Sequence, residues 1–157
     1  MAIPDEEIST GRVDIVKLLM VREKSVRYQK AFCTADTVVN AVRPMFKGSY
    51  REIVVVVGMD NTNSPTVIHT VGVGSPNQSV VCMASIFKPI LLSNSVSFIL
   101  CHNHICDQMK PSQADRELTD KIGDLAKMLE LHFLDHLILN ADGTEFFSFK
   151  NMGLLKG

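Results

Sequence analysis

Apolar residues along this chain recur in two rhythms, and the changes between them mark out its elements. Ile53-Val54-Val55-Val56-Val57 is wholly apolar and β-branched, which predicts a strand opened by Glu52. Turn chemistry at Asp60-Asn61-Thr62-Asn63 then returns the chain along residues 67–73, predicting a hairpin. Val96-Ser97-Phe98-Ile99-Leu100-Cys101 has the character of a buried strand. Residues 133–139 and 145–149, joined at Ala141-Asp142-Gly143, read as a closing hairpin.

Helical spacing appears between these runs. Thr34-Ala35-Asp36-Thr37 has cap chemistry and leads a short helix through Val38, Val39 and Val42 that should stop near Pro44 and Gly48. Residues 82–94 read as a helix that Pro89 should kink or loosen. From Ser112 to Glu130 a polar segment carries Leu118, Ile122, Leu125 and Leu129 at helical spacing, the stripe expected to be buried. Residues 1–10 look like a frayed tail, and 13–28 mix apolar and charged positions as an exposed strand or pair of strands would. The order β-α-β-β-α-β-α-β-β predicts an α/β (α+β) fold, a mixed sheet packed by helices. We expect residues 1–33 to be a tail with leading strands and 34–157 to be one domain.

Composition narrows the class without naming a chemistry. A 157-residue chain lies near the single-domain mode. At about that length folding buries roughly 68–70% of the surface the unfolded chain exposes. The 46% hydrophobic and 21% charged content belongs to a globular protein. A net charge of -1 and a pI near 6.5 give no electrostatic argument for nucleic acid. The local run Lys17, Arg22, Lys24, Arg27, Lys30 is interrupted by Glu23 and reads as a solvated strand face. The first residues lack a secretory pattern, and no apolar run approaches the ~20 residues of a membrane span, so a cytoplasmic location is expected. Cys33, Cys82, Cys101 and Cys106 form no C-x-x-C pair and read as reduced thiols.

The chemistry is concentrated at the end of the third predicted strand. His102-Asn103-His104 is followed, after seven residues, by Ser112-Gln113-Ala114-Asp115. Residues two apart in a strand share a face, so the two imidazoles point the same way. Pro111 ends the strand, and Asp115 falls in the first turn of the next helix, beside the apolar stripe. A carboxylate aimed inward is costly unless it is paired or binds a cation. Two imidazoles and a carboxylate can occupy three corners of a zinc tetrahedron and leave the fourth to water. Ser112 and Asp115 alternatively form a capping box, which requires no metal.

These residues resemble the JAMM, or MPN, metalloprotease motif, and specifically its RadC-like branch. That motif has an upstream glutamate, His-x-His, seven residues and Ser-x-x-Asp; the RadC-like branch adds Pro before the serine and a later Leu-Asp-His. Here His102, His104, Pro111, Ser112, Asp115, Thr119 and Leu134-Asp135-His136 match, from about residue 38 to 149. The departure is Ile105-Cys106-Asp107, where the branch has Pro-Ser-Gly: Ile105 and Asp107 should loosen the segment over the metal, and Cys106 could coordinate it as thiolate and fill the open position. The resemblance implies a JAB/MPN (cytidine-deaminase-like) domain holding one zinc per chain on His102, His104 and Asp115. It implies a peptide or protein substrate, Glu52 as general base, and Ser112 as donor to the oxyanion. The alternative reading of Glu52 is an exposed edge residue beside Arg51.

Three function classes follow. The first is zinc-dependent hydrolysis of a peptide or isopeptide bond. The second is a non-catalytic interaction or DNA-repair accessory module, for which nucleic acid enters by family name only, without support from charge. The third is a cysteine hydrolase using Cys106. An HNH nuclease is set aside because its three residues are not consecutive, and a zinc deaminase because no Pro-Cys-x-x-Cys is present. Asp135 and His136 fit either an outer support for a metal-bound imidazole or an ordinary buried pair, while His69 and His132 read as surface or strand residues. Oligomeric state is not legible in the chain.

Overall fold

In the computed structural model, which describes residues 13–28, 31–74, 81–105 and 109–156, regular structure begins at Thr34. Its hydroxyl accepts the Thr37 N–H while the Thr37 hydroxyl accepts the Thr34 N–H, a reciprocal cap that starts α1 (Ala35–Phe46). Pro44 sits within the last turn and the helix ends at Phe46, between Pro44 and Gly48 as expected, before Gly48, at φ +74°, turns the chain. There follow β1 (Ile53–Met59), β2 (Pro65–Val73), α2 (Met83–Leu92), β3 (Ser97–Asn103), α3 (Gln113–Met128), β4 (His132–Leu139) and β5 (Phe146–Ser148).

The sheet order is β2-β1-β3-β4-β5. β3 and β4 are parallel and the other neighbours antiparallel, so the sheet is mixed, as expected. A parallel pair needs a long crossover, and α3 supplies it. Because α3 leaves from the carboxyl end of β3, its first turn comes back toward the two histidines. Gly58 in β1 is required by packing: a Cβ there would lie 2.2 Å from the Ser95 hydroxyl.

Period-2 alternation divides the strands between two cores. Val55, Val57, Ile99, Cys101 and Leu137 face α1. Val54, Val56, Phe98 and Leu100 face α2 and α3. The α3 stripe differs in one position from expectation: Ile122 is buried and Leu118 and Leu125 lie against the core, but Leu129 is the exposed C-cap. Thr119 and Ala126 complete the buried face. α2 runs without a break through a buried Pro89.

The leading strands do not form. Residues 13–28 contain neither helix nor strand, and Val13, Ile15 and Val21 are almost wholly exposed. A strand needs a second backbone to satisfy its N–H and C=O groups, and alternation alone cannot provide one. Toward its end this segment meets the body: Arg22, Lys24 and Ser25 share a pocket with Met45 and Pro65, Val26 packs against the α1-side core, and Tyr28 meets Phe32 edge-on. The expected tail at residues 1–10 lies outside the described residues. Among the described residues no helix is long and apolar enough to cross a membrane, and Cys33, Cys82 and Cys101 are free thiols.

Candidate metal centre

Along β3 the α3-facing positions change character, from Phe98 and Leu100 in the core to His102 at its edge and His104 one residue past the strand. The backbone still holds His104, whose N–H donates to the Leu139 carbonyl at 2.9 Å. Asp115 enters from the first turn of α3. Its Oδ1 lies 3.2 Å from His102 Nε2 and its Oδ2 3.5 Å from His104 Nε2. Donor atoms from the three residues all fall within 4.8 Å of one another.

This donor set fits a tetrahedral cation. Metal–ligand bonds of about 2.0–2.1 Å require ligand atoms about 3.3 Å apart, and the two measured separations bracket that value. More telling is His102 Nε2, a buried polar atom with no hydrogen-bond partner despite the nearby carboxylate. A buried nitrogen left unbonded costs free energy unless something binds it. Burial pushes the Asp115 carboxyl upward, but the adjacent His102 and His104 imidazoles and the Ser112 hydroxyl outweigh it and hold the group well below the usual carboxylate range. It is therefore ionised, as a metal ligand must be.

The capping box forms, and it shares Asp115 with the candidate metal site. Ser112 donates to Asp115 Oδ2 from its backbone N–H at 2.7 Å and its hydroxyl at 2.6 Å, while the Asp115 N–H donates back to Ser112 Oγ at 3.1 Å. The helix cap thus fixes the rotamer that presents the carboxylate. Ser112 itself is exposed at the mouth of the site.

Glu52 stands apart from this group. Among the described residues the convergent set is His102, His104 and Asp115, and Glu52 is not a member. It is half-buried, one residue ahead of β1. Since Val54 pairs with His102, extending that antiparallel register two residues sets Glu52 across from His104. Asn103 anchors the backbone there: its side chain accepts the Ile53 N–H at 2.7 Å and donates to the Arg51 carbonyl at 3.1 Å, on both sides of Glu52. Sequence reasoning assigned Asn103 no part, and no local signal marks an amide that extends a ladder end.

Asp135 and His136, adjacent in sequence, separate by face. Asp135 accepts from the His136 N–H, the Ser148 hydroxyl and the Lys150 N–H, which ties β4 to β5 away from the metal residues. Burial raises its carboxyl above the ordinary range against those donors. His136 instead reaches His102, with Nε2 2.8 Å from His102 Nδ1, and its Nδ1 lies 2.7 Å from the Thr119 hydroxyl. Its ring stacks on Phe149, and burial holds it well below the ordinary histidine range. His69 and His132 are exposed strand residues, as expected. Cys106 lies outside the described residues.

A family model described as the RadC-like JAB domain matches residues 32–154. Relatives named UPF0758 protein include one from Histophilus somni (strain 2336), 30% identical over 89% of this chain and 61% of its own length. One from Rubrobacter xylanophilus is 33% identical over 67% of this chain and 45% of its own. Another, from Clostridium acetobutylicum, is 30% identical over 92% of this chain and 66% of its own. The chain thus spans 45–66% of the length of these relatives.

Proposed function

This chain belongs to the RadC-like JAB domain family, and from that membership and the converging side chains we propose that it is a zinc-dependent hydrolase of JAMM type, cleaving a peptide or isopeptide bond through metal-activated water. The observation that carries this reading is the unbonded, buried His102 Nε2 facing an ionised Asp115 beside His104. His102, His104 and Asp115 would hold one zinc per chain. When bound, zinc would supply Lewis acidity that lowers water's pKa to about 7 and polarises a carbonyl.

The chain's own residues supply the rest. Glu52, on the backbone that Asn103 clamps, accepts the proton from the attacking water and delivers it to the leaving amine. Ser112 redirects its hydroxyl from Asp115 Oδ2 to the substrate oxyanion, and losing a comparable donor costs about 10²–10³ in kcat. The apolar core behind His102 keeps that side of the site dry, which strengthens each of these contacts. The fitting substrate is a peptide or protein, whose peptide or isopeptide amide offers one carbonyl and one leaving amine.

Metal analysis of the purified chain tests this reading. We expect about one zinc per chain, absent from Asp115→Ala. Hydrolysis of a peptide library should be chelator-sensitive, and Glu52→Gln should keep zinc and lose about 10²–10⁴ in turnover. Full zinc retention by Asp115→Ala overturns the metal site. Chelator-resistant cleavage abolished by thiol alkylation would transfer the activity to a cysteine, and zinc without cleavage of any peptide would make the domain a binding accessory.

A further inference from the structure

We propose that Thr119 and His136 are positioning residues that orient His102, holding a proton on its Nδ1 so that Nε2 is the nitrogen turned to the cation site. The inference rests on the metal-site reading above and adds how that site is kept ready. It follows from counting hydrogens along a chain of short contacts.

The count begins at Thr119, whose hydroxyl oxygen is 2.6 Å from the backbone carbonyl of Asp115. A carbonyl carries no hydrogen, so the single hydroxyl hydrogen lies between these two oxygens. Toward His136 Nδ1, at 2.7 Å, the threonine then offers only lone pairs, and the hydrogen of that bond belongs to His136 Nδ1. His136 is fully buried, and its two ring nitrogens meet only a hydroxyl and another imidazole. A second ring proton would place an unpaired charge in the interior. Its Nε2 is therefore an acceptor, and the 2.8 Å contact to His102 Nδ1 is made by a proton on His102. The ring nitrogen of His102 left to face the cation site is Nε2, the same atom left without a hydrogen-bond partner 3.2 Å from Asp115 Oδ1.

Asp115 therefore acts at both ends of this circuit. Its carboxylate faces the cation site, while its carbonyl, four residues before Thr119 on α3, takes up the hydroxyl hydrogen and starts the sequence. A metal-binding histidine is commonly oriented by a carboxylate, carbonyl or water on its other nitrogen. Here the partner is a neutral imidazole, so the support adds direction without adding negative charge to the site.

The test uses the full metal-free chain labelled with ¹⁵N-histidine, in which long-range ¹H–¹⁵N spectra report which nitrogen of each ring bears hydrogen. Wild type should show hydrogen on Nδ1 of both His102 and His136 and none on His136 Nε2. Thr119→Val keeps the shape and removes the hydroxyl; it should give mixed forms at both rings, and zinc titrated alone into that chain should bind about 10–100-fold more weakly. Thr119→Ser should restore both readouts. Finding His102 Nδ1 without hydrogen in wild type, or Thr119→Val with unchanged spectra and zinc affinity, overturns the proposal. The wild-type spectrum decides even if Thr119→Val does not fold. Because it is recorded without metal or substrate, it also separates this inference from the hydrolase reading, which fails by lack of zinc or of cleavage.

Discussion

The two faces of the sheet share five strands and do different things. Toward α1, Val55, Ile99, Cys101 and Leu137 meet Val38, Val42 and Phe46 in an apolar layer. Toward α3, the layer built on Val56, Phe98 and Leu100 changes along β3 into His102 and His104, with Asp115 and His136 against them. Consecutive residues of one strand thus serve opposite ends: Cys101 and Asn103 hold the body while His102 between them joins the candidate metal site. A strand can combine the two because its side chains alternate with period 2, and covering one face leaves the other open to specialise.

This division can be broken from the α1 side first. Leu137→Ala opens a cavity in a fully buried position and should lower unfolding stability by about 2–5 kcal/mol in denaturant titration, with zinc per folded chain unchanged. Loss of zinc in that variant would show that the faces are not independent. Asn103→Ala sharpens the comparison at the boundary. It removes the acceptor of the Ile53 N–H and the donor to the Arg51 carbonyl, so a cost of about 1–3 kcal/mol is expected while zinc binding persists. On the α3 side, Ser112→Ala deletes the helix cap and should cost about 0.5–2 kcal/mol in thermal unfolding, the smallest of the three. Its zinc affinity should fall as well, since the cap orients Asp115. A cap variant that melts early yet binds zinc as wild type does would separate the cap from the ligand.

Much of the site could be read from the chain because its signals are local. The His-x-His pair needs only strand alternation, and Asp115 needs only a helix start within reach of the strand end. Glu52 is legible as a residue just before β1, yet its place across from His104 comes from pairing with β3, which sequence spacing does not reveal. The strands anticipated over residues 13–28 failed for a related reason: alternation records which side is apolar, not whether a neighbouring backbone exists. Leu129 kept the helical period but fell at the C-cap, where the chain turns out of the helix and the side chain is exposed.

By itself the sequence determined the order of elements from α1 onward, the mixed sheet and the identity of the three donor residues, because periodicity, caps and short motifs act over a few residues. Tertiary structure alone decided that Asp135 and His136 part company across the sheet, and that Thr119, His136 and His102 form one hydrogen-bonded line. Their partners lie 17 and 34 positions apart in the chain. A hydrogen bond depends on distance and direction in space, and those are set only when β3, α3 and β4 are packed together.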